Sequence, residues 1–121
     1  MNIHESAEDY LEAILRLRES KGYVRSVDSS QMLAVSKPSV SFAMKKLREN
    51  GYILMDEENL ITLTQKGEEI ALRVYDRHKT IMQFLMSLGV SEETAREDAC
   101  KIEHDISQES FEALRRQLLK S

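Results

Sequence analysis

The stretch Asp28 to Thr64, DSSQMLAVSKPSVSFAMKKLRENGYILMDEENLITLT, decides how this chain folds. Its first part predicts a short helix from Asp28 to Ala34, with Met32 and Leu33 on the buried side. The turn Val35-Ser36-Lys37 follows, and the single proline, Pro38, is expected at the first position of the next helix, where its missing N–H costs nothing. That helix directs Val40, Ala43, Met44 and Leu47 inward and stops at Asn50-Gly51. The period then changes. Tyr52 to Met55 reads as a strand, Asp56-Glu57-Glu58-Asn59 as a polar turn, and Leu60 to Thr64 alternates as a returning strand. Two helices with a tight turn followed by a β-hairpin are the parts of a winged helix-turn-helix.

Upstream, Ser6 is placed to cap a helix from about Ala7 to Ser20, whose apolar positions Tyr10, Leu11, Ile14, Leu15 and Leu17 recur at helical spacing before the stop at Gly22. Downstream, Thr64 caps a long helix from Gln65 to about Leu88, closed by Gly89. Ser91-Glu92-Glu93-Thr94 opens another helix with acidic residues in its first turn, and this helix is expected to carry Cys100 to His104. Ser107 caps a last helix bearing Phe111, Leu114, Leu118 and Leu119. The expected fold is therefore mainly α: a winged head of three helices plus a hairpin over residues 1–63, then a long helix leading into a helical platform over 64–121. The platform holds more apolar surface than so few helices can bury alone, so self-association into a homodimer is expected.

Cys100 is the only cysteine among 121 residues, which rules out an intrachain disulfide and suits a reducing cytoplasm. Met1 to Tyr10 is acidic and leads to no apolar segment, and no run approaches the roughly 18 apolar residues of a membrane span, so neither a signal peptide nor a membrane partner is expected. The formal net charge of −4 alone argues against nucleic acid, but its distribution reverses that. Between Lys21 and Gly51 the cations Lys21, Arg25, Lys37, Lys45, Lys46 and Arg48 face only Asp28 and Glu49, a balance of +4 that leaves −8 for the rest. In a helix-turn-helix the N-terminal end of the second helix reaches base edges. Here Ser36, Ser39 and Ser41 offer hydroxyls to phosphates or bases, and Pro38 and Phe42 offer apolar surface to thymine methyl groups. Arg25, Lys37, Lys45 and Lys46 supply positive charge for the phosphate backbone of double-stranded DNA.

A second chemistry lies near the end of the chain. In D-A-C-K-I-E-H-D-I, Cys100, Glu103 and His104 fall at i, i+3 and i+4, which on a helix puts a thiol, a carboxylate and an imidazole on one face. These are transition-metal ligands. A buried cysteine beside a solvated Glu-His pair is the plainer alternative.

Five motifs, in order, carry a resemblance across nearly the whole chain: S-A-E-D-Y-L-E-A-I at Ser6–Ile14, V-S-K-P-S-V-S at Val35–Ser41, the K-L-R-E-N-G-Y-I run ending at Ile53, L-T-Q-K-G at Leu63–Gly67, and C-K-I-E-H-D-I at Cys100–Ile106. Together they resemble the diphtheria toxin repressor and manganese transport regulator family of metal-dependent repressors. The resemblance implies a homodimer that binds operator DNA when loaded with iron(II) or manganese(II), with zinc(II), cobalt(II) or nickel(II) able to substitute in vitro, and no organic cofactor. It also implies a ligand set of Asp9, Glu12, His78, Cys100, Glu103 and His104. The signature is mixed, because the manganese branch has the Asp found at Asp9 but a carboxylate where Cys100 stands, while the iron branch has that Cys but a Met in place of Asp9. Many members bind a further ion through a carboxylate one turn after the His that matches His78 and, in the iron branch, a second His on the following helix. This chain has Lys79 to Met82 and Arg96 there, so one metal per subunit is expected. The end at Ser121 suggests the short form, without an SH3-like domain.

Two other functions fit parts of the pattern. A winged-helix regulator of a small organic ligand would leave the Cys-Glu-His cluster structural. A zinc-dependent hydrolase would use C-x-x-E-H as a variant of the H-x-x-E-H pattern, with Glu103 as base.

Overall fold

A computed structural model describes the backbone of residues 5–120 and the side chains of residues 7–120. The expected cap Ser6 therefore lies outside the described side chains. The order of elements is α1 (Glu5–Lys21), α2 (Ser26–Leu33), α3 (Lys37–Glu49), β1 (Ile53–Met55), β2 (Ile61–Leu63), α4 (Gln65–Ser87), α5 (Glu92–Ile102) and α6 (Gln108–Lys120). The fold is a winged helix-turn-helix followed by helices, as the periodicities predict. It divides into two compact units, one up to Leu72 and one from Arg73.

In the first unit α1 buries Leu11, Ile14 and Leu15 almost completely, α3 buries Val40, Met44 and Leu47, and the hairpin adds Ile53 and Ile61. Each such side chain contributes about 1.5–3 kcal/mol relative to exposure. The hairpin is antiparallel, with Ile53 opposite Leu63 and Met55 opposite Ile61. Asp56 closes its turn by accepting from the backbone N–H groups of Glu58 and Leu60. Ile61 N–H also donates to Val24 O at 2.8 Å, which ties the wing to the segment between α1 and α2.

α2 corrects the expected burial. It buries Asp28, Ser29 and Ser30, while Met32 is 39% exposed and Leu33 half-buried. The cause is polar anchoring at both ends of a helix too short to be held by an apolar stripe. Asp28 accepts from Arg25 N–H and from Lys21 Nζ at 2.6 Å, so its carboxyl lies below the usual range, chiefly through the Lys21 bond. At the other end Ser30 Oγ donates to Val35 O, and Ala34 closes the helix in the left-handed region at φ 55. α3 begins one residue earlier than expected, so Pro38 occupies its second position, where the N–H still has no intrahelical partner to lose.

Thr64 caps α4 by accepting from Gly67 N–H, and its own hydroxyl donates to Gly51 O at 2.7 Å. Gly67 is obligatory at this seam, because a Cβ there would stand 2.0 Å from Tyr52 O. In the second unit Ile81, Ala99 and Phe111 form a buried cluster with Met82, Leu85, Ile102, Ile106 and Leu114 packed against it. Ser91 and Ser107 cap α5 and α6 through the N–H groups of Thr94 and Ser110.

Candidate metal centre and nucleic-acid interface

α4 turns Val74, His78 and Ile81 into the protein interior, so His78 is a polar residue set in an apolar stripe. Facing it are Cys100, in the last turn of α5, and Glu103, the residue that caps that helix. The expected single helical face for Cys100, Glu103 and His104 needs correction, since α5 stops at Ile102 and the latter two lie in the turn beyond it. Glu103 N–H still bonds back to Ala99 O, but Asp105 and Ile106 both donate to Ile102 O and end the helix. The carbonyls this turn releases are taken by a buried side chain, Arg77, which donates to Glu103 O at 3.2 Å and Ile106 O at 2.8 Å.

The turn aims the carboxylate inward. Glu103 is 1% exposed, and one oxygen, Oε2, lies 2.9 Å from His78 Nδ1. Cys100 Sγ lies 3.8 Å from the same nitrogen, although the residue as a whole is exposed. The second oxygen, Glu103 Oε1, is buried and has no hydrogen bond among the described residues, with His104 Nε2 3.4 Å away as an ion-pair contact. Ligand atoms of His78, Cys100 and Glu103 all fall within 4.8 Å of one another. Donors held at about 2.0–2.3 Å from a common ion stand this close, so the group fits a divalent transition metal. An orphaned buried carboxylate oxygen is a costly feature that a cation would offset. The Cys100 thiol and then the Glu103 carboxylate push the His78 imidazole up to about 10, against the opposing effect of burial.

Of the sequence-predicted ligands, the second unit gathers His78, Cys100, Glu103 and His104. Asp9 and Glu12 lie on α1 in the first unit, Asp9 half-buried and Glu12 5% exposed. Arg77 was not foreseen. A signal for it exists in retrospect, since it interrupts the same apolar stripe of α4 as its neighbour His78.

The first unit presents the expected DNA-reading set at its surface: Arg25, Ser36, Lys37, Pro38, Ser39, Ser41, Phe42, Lys45 and Lys46 are all exposed. Phe42 is 64% exposed and is no core residue, with Lys46 Nζ 5.5 Å from its ring centre. Ser36 and Ser39 are partly committed within α3, Ser36 capping the helix and bonding Ser39 Oγ at 2.8 Å. Between α2 and α3 lies a hollow of about 230 Å³ lined by Ser26, Val27, Lys37, Val40 and Ser41, and Ser26 and Ser41 also border a second one reaching Lys45 and Arg48. Ser26 and Val27 were missed because nothing in the sequence marks the start of so short a helix.

Residues 2–59 match the family model for the iron dependent repressor N-terminal DNA binding domain, and residues 64–120 match that for the iron dependent repressor metal binding and dimerisation domain. An uncharacterized HTH-type transcriptional regulator of Methanocaldococcus jannaschii is 41% identical over 113 residues, 92% of this chain and 90% of that protein. The transcriptional regulator MntR of Salmonella typhimurium is 40% identical over 109 residues, 90% of this chain and 69% of that protein. Among solved structures, the manganese regulator SloR matches with a TM-score of 0.83 and 31% identity, covering 100% of this chain and 56% of that one. The chain thus spans about half the length of that solved relative. A winged helix-turn-helix with an exposed α3 and a cluster of side chains able to hold a metal ion occur here with matches over both halves, and the chain belongs to the iron-dependent repressor family of metal-dependent transcriptional regulators.

Proposed function

We propose that the chain is a cytoplasmic repressor of metal-uptake genes that binds operator DNA as a homodimer when iron(II) or manganese(II) occupies its centre. The observation that carries this reading is the convergence of His78 and Cys100 on the buried carboxylate of Glu103, with ligand atoms of the three within 4.8 Å of one another. The relatives named for manganese regulation support the choice of metal class. Residues 1–63 act as the DNA-binding head and 64–121 as the metal-binding and dimerising platform. Asp9 and Glu12 of α1 complete a ligand set with His78, Cys100, Glu103 and His104, one site per subunit, and the protein acts by binding rather than by catalysis.

Three carboxylates gathered beside a thiol repel one another, and a divalent cation supplies the charge that reverses this repulsion. Because the ligands come from both parts of the chain, the conformation in which they converge is favoured by its differential affinity for the ion. A dimer must present two reading helices about one DNA turn apart, so restricting the heads selects the spacing that fits successive major grooves. In α3, Pro38, Phe42, Ser39 and Ser41 read bases, while Arg25, Ser36, Lys37, Lys45 and Lys46 hold phosphates. The mixed donor set leaves iron and manganese both admissible, since carboxylates favour manganese and a thiolate favours softer ions.

The test is operator binding titrated separately with iron(II), manganese(II) and zinc(II) under anaerobic, metal-buffered conditions. Asp9→Ala and Glu103→Ala should each leave a folded dimer whose DNA affinity no longer rises on adding metal. A response equal to that of the parent in either variant overturns the ligand set.

A further inference from the structure

We propose that Arg77 is the positioning residue of the metal centre, a brace that fixes the turn from which Glu103 and His104 project. The proposal rests on the preceding reading of those two residues as ligands. A ligand on a helix is aimed by the helix, but Glu103 and His104 stand past the end of α5, where the backbone is shaped by the bond from Glu103 N–H to Ala99 O and the paired bonds from Asp105 and Ile106 to Ile102 O. Arg77 supplies what the helix no longer does. Its Nη1 donates to the carbonyls of Glu103 and Ile106, one on each side of His104, and its Nη2 donates to Gln108 Oε1 at 2.9 Å in the first turn of α6. Gln108 is in turn held by Glu112 at 3.1 Å. Arg77 is buried, and its guanidinium lies 5.4 Å from the ring centre of the buried Phe111, so the brace is itself fixed.

The same turn of α4 therefore delivers a ligand, His78, and the group that holds two more. This requires a planar fork: a lysine ammonium at this position keeps the charge but cannot span two carbonyls and an amide from one rigid plane. Partners that orient metal ligands without touching the ion typically change metal affinity by about 10- to 100-fold when removed. The brace bonds backbone carbonyls and a side-chain amide rather than an ion, so its effect on the turn can be read without metal.

Cobalt(II) is the probe, because a cysteine thiolate gives it a near-ultraviolet charge-transfer band and its visible bands report the number and placement of ligands. Arg77→Lys should weaken cobalt(II) binding by about 10- to 100-fold. At saturation its Cys100 charge-transfer band should persist while the visible bands change, since His78 and Cys100 stay on their helices and Glu103 and His104 lose their aim. In the metal-free variant the amides of residues 103–106 should exchange with solvent faster than in the parent, with those of Ile81 unchanged. Gln108→Leu releases one arm of the fork and should show a smaller loss in the same direction, which keeps the test intact if Arg77→Lys does not fold. Parental cobalt affinity, visible spectrum and exchange at 103–106 in a folded variant of either kind overturn the brace. If the unmodified protein itself binds no cobalt(II), the metal reading fails and takes the brace with it.

Discussion

In the proposed centre a metal ion bound by His78 displaces a proton from the imidazole. That imidazole is raised to about 10 by Cys100 and Glu103, so below that pH the free site is protonated and binding releases the proton. Apparent manganese(II) affinity should therefore climb at least about tenfold per pH unit from pH 7 toward 9, more where the Cys100 thiol also gives up its proton. Calorimetry in buffers of different ionisation enthalpy checks the proton count. The stability of the metal-free protein runs the opposite way. A raised imidazole pKa contributes stability that is fully present below 6.5 and is lost as pH rises through about 10. Thermal unfolding without metal should thus show a falling Tm over that window, and His78→Gln should flatten both the binding and the stability profiles.

At the scale of elements, the junction between the hairpin and α4 is the least forgiving place in the first unit. Gly67→Ala drives a methyl group into the Tyr52 carbonyl, which neither backbone can yield cheaply, and should cost roughly 3 kcal/mol or more. Urea unfolding of the variant against the parent measures it. The L-T-Q-K-G motif made this glycine visible in the sequence as part of a resemblance, but not its cause, which is contact with a residue 15 positions away. Elements with strong periodicity were legible throughout: α1, α3 and the hairpin stand within a few residues of their expected bounds. What stayed hidden was set by polar contacts between separate segments. α2 is held by Lys21-Asp28 and Ser30-Val35 rather than by Met32 and Leu33, and α5 ends early where Arg77 takes the freed carbonyls. The spacing of Cys100, Glu103 and His104 suggested a shared site, yet only two of its elements, a helix end and a turn, explain how the carboxylate reaches His78.

For the molecule as a whole, a net charge of −4 confines phosphate contact to residues 21–51, whose balance is +4, and the reading helix divides affinity from choice. Lys45→Ala should weaken binding to every sequence and reduce the salt dependence by about one unit of slope, because one phosphate contact is lost. Phe42→Ala and Pro38→Ala should instead lose discrimination at a thymine, as the exposed Phe42 ring has no core to support. Binding profiles over an operator library at two salt concentrations separate the outcomes, and equal losses at all base positions for the three variants would defeat the assignment.

The exposed thiol of Cys100 has a practical corollary. It is the chain's only sulfhydryl and sits 3.8 Å from the His78 imidazole, so one alkylating reagent can address the centre and no other thiol. In the proposed ligand set the sulfur is engaged by the ion and is a poor nucleophile, so the rate at which iodoacetamide adds a single mass increment should report the fraction of loaded protein. Quenched in a crude extract and read on the intact chain, that increment is a stopwatch record of how much metal the regulator held at the moment the cell was opened.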